Sequence, residues 1–225
     1  MLSACGMQAV RSPEPLPSRG ASADTVEYGD LVTPAAKALG LRPLSEVSLP
    51  SAGREVRVWI IGMAIHSLLR IAEQNGRVQG EAAKFWRSES FGPIDKPEPE
   101  WVARFRRDQV QSGCRPIRRV GGVEACKGAS LSGVDWRRVL LQLDSLGIST
   151  LADPQTLARD DPFLGMSADG WSMVVEIRTG NQYRTYSYDN PYWAPWPEAR
   201  VAEEIAKIVN AALAEALPNA SSPEV

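Results

Sequence analysis

The sequence predicts an α+β protein: a small antiparallel sheet built from hairpins, with helices packed on one face. Two observations carry this. Strand-like segments flank the tight-turn dipeptides Asn75-Gly76, Gly121-Gly122 and Gly180-Asn181. Two further segments, near 136–146 and 197–217, place apolar residues at helical spacing. Strands that follow one another through tight turns pair antiparallel, and amphipathic helices then cover the sheet.

The elements follow in order. Thr33 reads as an N-cap, Pro34 as a first helical residue and Gly40 as a stop, which predicts a short helix over 35–39. Val56, Val58 and Ile60 alternate with Arg57 and Trp59, the period of a strand. Both residues of Asn75-Gly76 tolerate positive φ, so strands are expected near 68–73 and 77–86. A helix through 68–74 is the rival, because Ala72, Glu73 and Gln74 are poor strand formers. Pro93, Pro97 and Pro99 mark a loop, and Trp101, Val102 and Phe105 fall at the spacing of a short amphipathic helix. Gly121-Gly122 centres a second hairpin. Asp135 reads as the N-cap of a helix with the stripe Trp136, Val139, Leu140, Leu143 and Leu146, ended by Gly147. The segments 171–178 and 183–188 form the last hairpin about Gly180-Asn181. Pro197 opens a final helix with Val201, Ile205, Ile208, Val209, Ala212 and Leu213 on one face and a Glu203–Lys207 pair on the other. The expected organisation is tether 1–30, short helix and linker 31–53, one α+β domain 54–217 and a frayed tail 218–225.

Composition narrows the function classes. Of 225 residues, 44% are hydrophobic and 23% charged, the balance of an ordinary globular domain. The net charge of −2 speaks against a nucleic-acid binder, which carries a basic excess. The longest apolar stretch, 56–69, is broken by Arg57, Gly62 and His66 and falls short of the ~20 residues a membrane helix needs.

Catalytic signatures are sparse. The chain has no Walker loop, no dinucleotide-type glycine fingerprint, no Gly-x-Ser-x-Gly elbow and no His-Glu-x-x-His helix. His66 is the one histidine; beside Ile65 and Leu68 it reads as structural or solvent-facing rather than as a general base. Asp153, Asp160, Asp161 and Asp169 match no calcium loop and read as turn residues near Pro154 and Pro162. Arg104, Arg106, Arg107, Arg115, Arg118 and Arg119 form a basic run, read as a solvated face, with anionic envelope polymers or lipids as the functional alternative. No metal, cofactor or catalytic residue is assigned. The densest aromatic stretch is Tyr183, Tyr186, Tyr188, Tyr192, Trp193 and Trp196. Half of it suits cross-strand packing; Tyr186, Tyr188, Tyr192, Trp193 and Trp196 are also the best candidate binding surface, since such rings stack on sugars or anchor a protein partner.

Leu2-Ser3-Ala4-Cys5 resembles the lipobox of bacterial lipoproteins, in which a leucine and two small residues precede an acylated cysteine. The resemblance covers these four residues. It implies that Cys5 carries lipid and becomes the N-terminus of the mature chain. A secretory signal needs an apolar stretch of ~7–15 residues before its cleavage site, so the resemblance also implies a start upstream of Met1. An ordinary N-terminus with a chance cysteine is the rival reading. Residues 6–23, rich in Pro, Ser, Ala and Arg, suit a tether. Gly6 after the cysteine, read as in Gram-negative lipoproteins, implies sorting to the periplasmic face of the outer membrane. With Cys5 lipidated, Cys114 and Cys126 remain as one pair, expected to be a disulfide in an oxidising compartment. The domain as a whole resembles bacterial envelope proteins of no named family. The expected function is a non-catalytic envelope lipoprotein that binds a protein or glycan partner. A periplasmic hydrolase of an envelope polymer, using carboxylates such as Asp153 or Asp169, and a structural or assembly accessory factor are the alternatives.

Overall fold

The turn dipeptides do what their chemistry allows. Asn75 and Gly76 sit at φ 51° and 72°, Gly121 and Gly122 at 56° and 75°, and Gly180 at 53°, each in the left-handed region that tight hairpins demand. The computed structural model describes residues 29–62, 65–87, 114–128, 133–154 and 170–217, together with 100, 104 and 107; of 114–118 only the backbone is described. Its strands are β1 (Arg54–Ile61), β2 (His66–Gln74), β3 (Arg77–Arg87), β4 (Cys114–Val120), β5 (Val123–Gly128), β6 (Ser172–Thr179) and β7 (Gln182–Asp189). They form one seven-stranded sheet in the order β4-β5-β3-β2-β1-β6-β7, with every neighbouring pair antiparallel. The chain is thus α+β, as the hairpin signals predict. The rival helix over 68–74 does not form. As the interior strand β2, that segment buries Leu69 and Ile71 on one face and Leu68 on the other, which a helix could not do.

Three helices are described: α1 (Gly29–Ala38), α2 (Trp136–Ser145) and α3 (Pro197–Ala216). Asp135 caps α2 by accepting from the Arg138 N–H at 3.0 Å. Gly147, at φ 72°, ends the helix: its N–H donates to the Asp144 carbonyl and that of Ile148 to the Leu143 carbonyl. Gly40 stops α1 in the same way, with Gly40 donating to Lys37 and Leu41 to Ala36. The start of α1 differs from expectation. The helix begins at Gly29, so Thr33 is not its N-cap and Pro34 lies inside it. Burial of Leu31 and Val32 ahead of the proline offsets the one backbone bond that Pro34 cannot make.

The helices cover both faces of the sheet. α2 and α3 pack on the face carrying Val56, Val58, Leu69 and Ile71. α1 packs Leu31, Val32 and Ala35 on the opposite face, against Trp59, Leu68, Phe85 and Val123. The one-face expectation holds for α2 and α3 and not for α1. The β1 side bearing Arg57 and Trp59 is covered as well, and Trp59 is wholly buried there. With the helical turn at Leu44–Glu46, whose Leu44 is also fully buried, α1 belongs to the packed body rather than to a linker.

The buried stripe of α3 is rich in alanine: Ala199, Ala202, Ala206, Ala212 and Ala216 flank Ile205, Val209 and Leu213. Val201 and Ile208 lie half-buried at its margin. Lys207 pairs with Glu204 at 2.6 Å, one residue from the expected Glu203. The lipobox, the tether, the proline loop at 88–99 and the tail from 218 lie outside the described residues. So do Trp101, Val102 and Phe105, although Glu100, Arg104 and Arg107 beside them are helical and exposed.

Candidate functional site

Two places collect chemistry-bearing side chains. The first is the corner between β7 and α3. Asn190 takes a left-handed φ of 43° and clamps the turn to the start of β6. Its N–H donates to the Trp171 carbonyl at 2.9 Å, and its Oδ1 accepts from the Trp171 N–H at 3.0 Å. Pro191 is buried beside it, and the helical turn Pro191–Trp193 closes with the Trp193 N–H on the Asn190 carbonyl. Tyr192 and Trp193 then stand out at 45% and 67% exposure, edge to face with ring centroids 5.4 Å apart.

The remaining members of the expected aromatic surface are not on it. Tyr186 and Tyr188 are buried under the chain that follows α2, and their hydroxyls donate to the carbonyls of Ile148 at 2.7 Å and Ala152 at 2.6 Å. Burial pushes both phenols well above their ordinary pKa, so they remain donors. Arg184 lies 4.9 Å over the Tyr186 ring and donates to the carbonyls of Ser149 and Leu151. Trp196, half-buried, packs on the α2–α3 core. The physical reason is strand alternation: Tyr186 and Tyr188 point to the face that α2 and α3 cover, whereas Tyr192 and Trp193 lie on the turn beyond the strand.

The second place is a cleft of about 90 Å³ between α1 and residues 41–46, floored by Arg57 and Glu176. These two face each other across β1 and β6. Arg57, 2% exposed, donates through Nε to Glu55 at 2.8 Å and through Nη1 to the Arg42 carbonyl at 2.9 Å. Arg178 donates to the Ser45 carbonyl at 3.1 Å, so two strand arginines hold the 41–46 segment over the sheet. Glu55 also takes two bonds from Arg70, at 2.7 and 2.9 Å. Burial pushes the Glu55 carboxyl up, but the Arg70 hydrogen bonds and the Arg57 charge outweigh it and hold the group below its ordinary value. Glu176, 3% exposed, accepts from Trp59 Nε1 at 2.8 Å and from the Tyr183 hydroxyl at 3.1 Å. Burial, and then the Glu176 charge, raise the Tyr183 phenol and keep it a donor.

Sequence reading misses Arg57 and Glu176 as site residues. Charged residues alternating with valines look like a solvated strand face. The available signal is Trp59, a large apolar ring on that same side.

The other candidates disperse. His66 is 6% exposed against the Phe85 ring, 5.1 Å away, and its Nδ1 makes no hydrogen bond among the described residues. Asp153 is half-buried and does not line the cleft; Asp160, Asp161 and Asp169 lie outside the described residues. Arg104, Arg107 and Arg119 are exposed; the side chains of Arg106, Arg115 and Arg118 are outside the described set. Among the described residues no group of three or more His, Cys, Asp or Glu could hold a metal ion, and no helix is long and apolar enough to cross a membrane. Cys126 is buried and is not a free thiol. The side chain of Cys114, and all of Cys5, lie outside the described residues. Compared with known proteins, the chain matches no family model, no curated protein and no solved structure.

Proposed function

We propose that this chain is a lipid-anchored envelope protein that acts by binding rather than by catalysis. Cys5 holds it at the periplasmic face of the outer membrane, and Tyr192 and Trp193 meet a protein or glycan partner. The observation that carries the binding reading is the exposed aromatic pair on a clamped turn. Large rings left in water forfeit burial that the core would reward. A turn fixed by the reciprocal Asn190–Trp171 bonds presents them with little ordering cost on association. Adjacent rings of this kind stack on sugars or fill a partner's pocket. The anchor rests on Leu2-Ser3-Ala4-Cys5 and the polar stretch after it.

Expressed with its own upstream sequence, the protein incorporates labelled palmitate, and Cys5→Ala does not. A photo-crosslinking amino acid at Trp193 gives a discrete adduct in the envelope fraction. The same probe at the exposed Arg200 of α3 gives none. Label retained by Cys5→Ala refutes the anchor. Equal adducts at both sites, or none at Trp193, refute the surface.

A further inference from the structure

We propose that the cleft over Arg57 and Glu176 binds a small free α-amino acid, its carboxylate on Arg57 and its ammonium on Glu176. This site is separate from the aromatic corner and does not depend on the function proposed there.

The argument begins with an anomaly in the charges. Buried ions in proteins are paired directly, because an isolated charge in a low-dielectric interior is costly. Glu176 is buried, yet no cation among the described residues lies within ion-pair distance of it. Two neutral donors, the Trp59 indole and the Tyr183 hydroxyl, solvate it instead. Each takes one carboxylate oxygen, and each oxygen keeps a further acceptor site. Arg57 sits directly opposite across the strand pair, but its Nε bond goes sideways to Glu55, a carboxylate that Arg70 also claims with two bonds. Arg57 Nη2 makes none of the described hydrogen bonds. A guanidinium and a carboxylate therefore face one cleft side by side without closing on each other.

That floor is complementary to a ligand with an anion and a cation a few bonds apart. A simple anion would meet Glu176, and a simple cation would meet Arg57; a zwitterion satisfies both. Size agrees. At ~10–15 Å³ of such volume per atom-sized sphere, a cleft of about 90 Å³ takes roughly six to nine non-hydrogen atoms, the range of alanine and serine, with glycine one atom below it. The rim supplies polar partners in Thr33, Lys37, Ser45 and Glu46, and an apolar wall in Val32 and Ala36 for a short side chain. The roof is preorganised, since Arg57 and Arg178 hold the Arg42 and Ser45 carbonyls in place before any ligand arrives.

The test uses the full purified chain with glycine, L-alanine and L-serine, followed by calorimetry and by the melting temperature. Acetate and methylammonium, the two half-ligands, run at the same concentrations. Saturable binding of at least one amino acid, with neither half-ligand reproducing it, is the expected result. Glu176→Gln keeps the shape and an acceptor but removes the charge, and should weaken binding by about tenfold or more. Ala36→Leu, which fills the cleft from α1, should abolish it while the circular dichroism stays that of the wild type. If Glu176→Gln does not fold, Ala36→Leu decides. The proposal is overturned if none of the three amino acids binds saturably, if a half-ligand binds as well as the amino acid, or if binding survives Ala36→Leu.

Discussion

At the scale of single residues, Gly80 and His66 show how the covered sheet constrains chemistry. Gly80 on β3 faces the Trp136 indole so closely that a Cβ there would lie 2.1 Å from Trp136 Cδ2. Gly80→Ala should therefore cost ~1–3 kcal/mol through overpacking, although alanine suits a strand better than glycine. In a double-mutant cycle with Trp136→Leu the cost should largely vanish; additive denaturant midpoints would disprove the contact. His66 is held neutral. Burial first, and the Arg87 charge second, depress its pKa to about 4, against a backbone hydrogen bond at Gly62 that favours the cation. The unfolded chain takes up this proton near pH 6.5 and the folded chain near 4. Its contribution is thus complete above about pH 6.5 and is lost as pH falls from there to about 4, up to ~3 kcal/mol. Melting temperatures at pH 7.5 and 4.5 check the sign: the wild type should lose more than His66→Phe across the interval. Equal losses would place the acid sensitivity elsewhere, with Glu55 the next candidate because its lowered pKa also withdraws stability in acid.

At the scale of elements, the β4–β5 hairpin bears on the cysteine pair. Its register would mirror about Gly121-Gly122, but a bulge intervenes between Pro116 and Arg118. Beyond the bulge Pro116 faces Cys126 and Cys114 faces Gly128. Cys114 is then two residues from the position opposite Cys126, on the same face of the hairpin; an unbulged register would put the two on opposite faces. The bulge thus sets the two positions on a diagonal of the hairpin, not directly opposite each other. We therefore propose the Cys114–Cys126 disulfide, a short closed loop worth roughly 3 kcal/mol in the chain-entropy model. Denatured protein carrying Cys5→Ala, purified under oxidising conditions, should titrate no thiol without reductant and two with it. Two free thiols without reductant would eliminate the bond.

At the scale of the whole molecule, the decisive feature is that the sheet is covered twice. If α1 is integral, Ala35→Asp should be severe. The residue is fully buried against the sheet, and an unpaired charge there should cost well over ~2 kcal/mol or prevent folding. Lys37→Gln, on the exposed side of the same helix, should leave the melting temperature within a degree or two. Comparable effects from the two would return α1 to the role of a linker. Local chemistry was enough to read the strands, the hairpin turns at Asn75-Gly76, Gly121-Gly122 and Gly180-Asn181, the Asp135 cap and the Gly40 and Gly147 stops. Each depends on residues within a few positions of one another, so the sequence by itself determined them and, with them, the α+β class. Which side of β1 meets water was not legible. Arg57 and Glu55 among valines look the same on an open face as on one that a distant helix will cover. The same limit hid the cleft, since Arg57 and Glu176 lie more than a hundred residues apart and meet only through the β1–β6 pairing. It also separated Tyr186 and Tyr188 from Tyr192 and Trp193, because burial is a property of what packs above a residue and not of the residue itself. Tertiary structure alone decided these points, for the physical reason that long-range packing, not local preference, assigns each side chain its solvent.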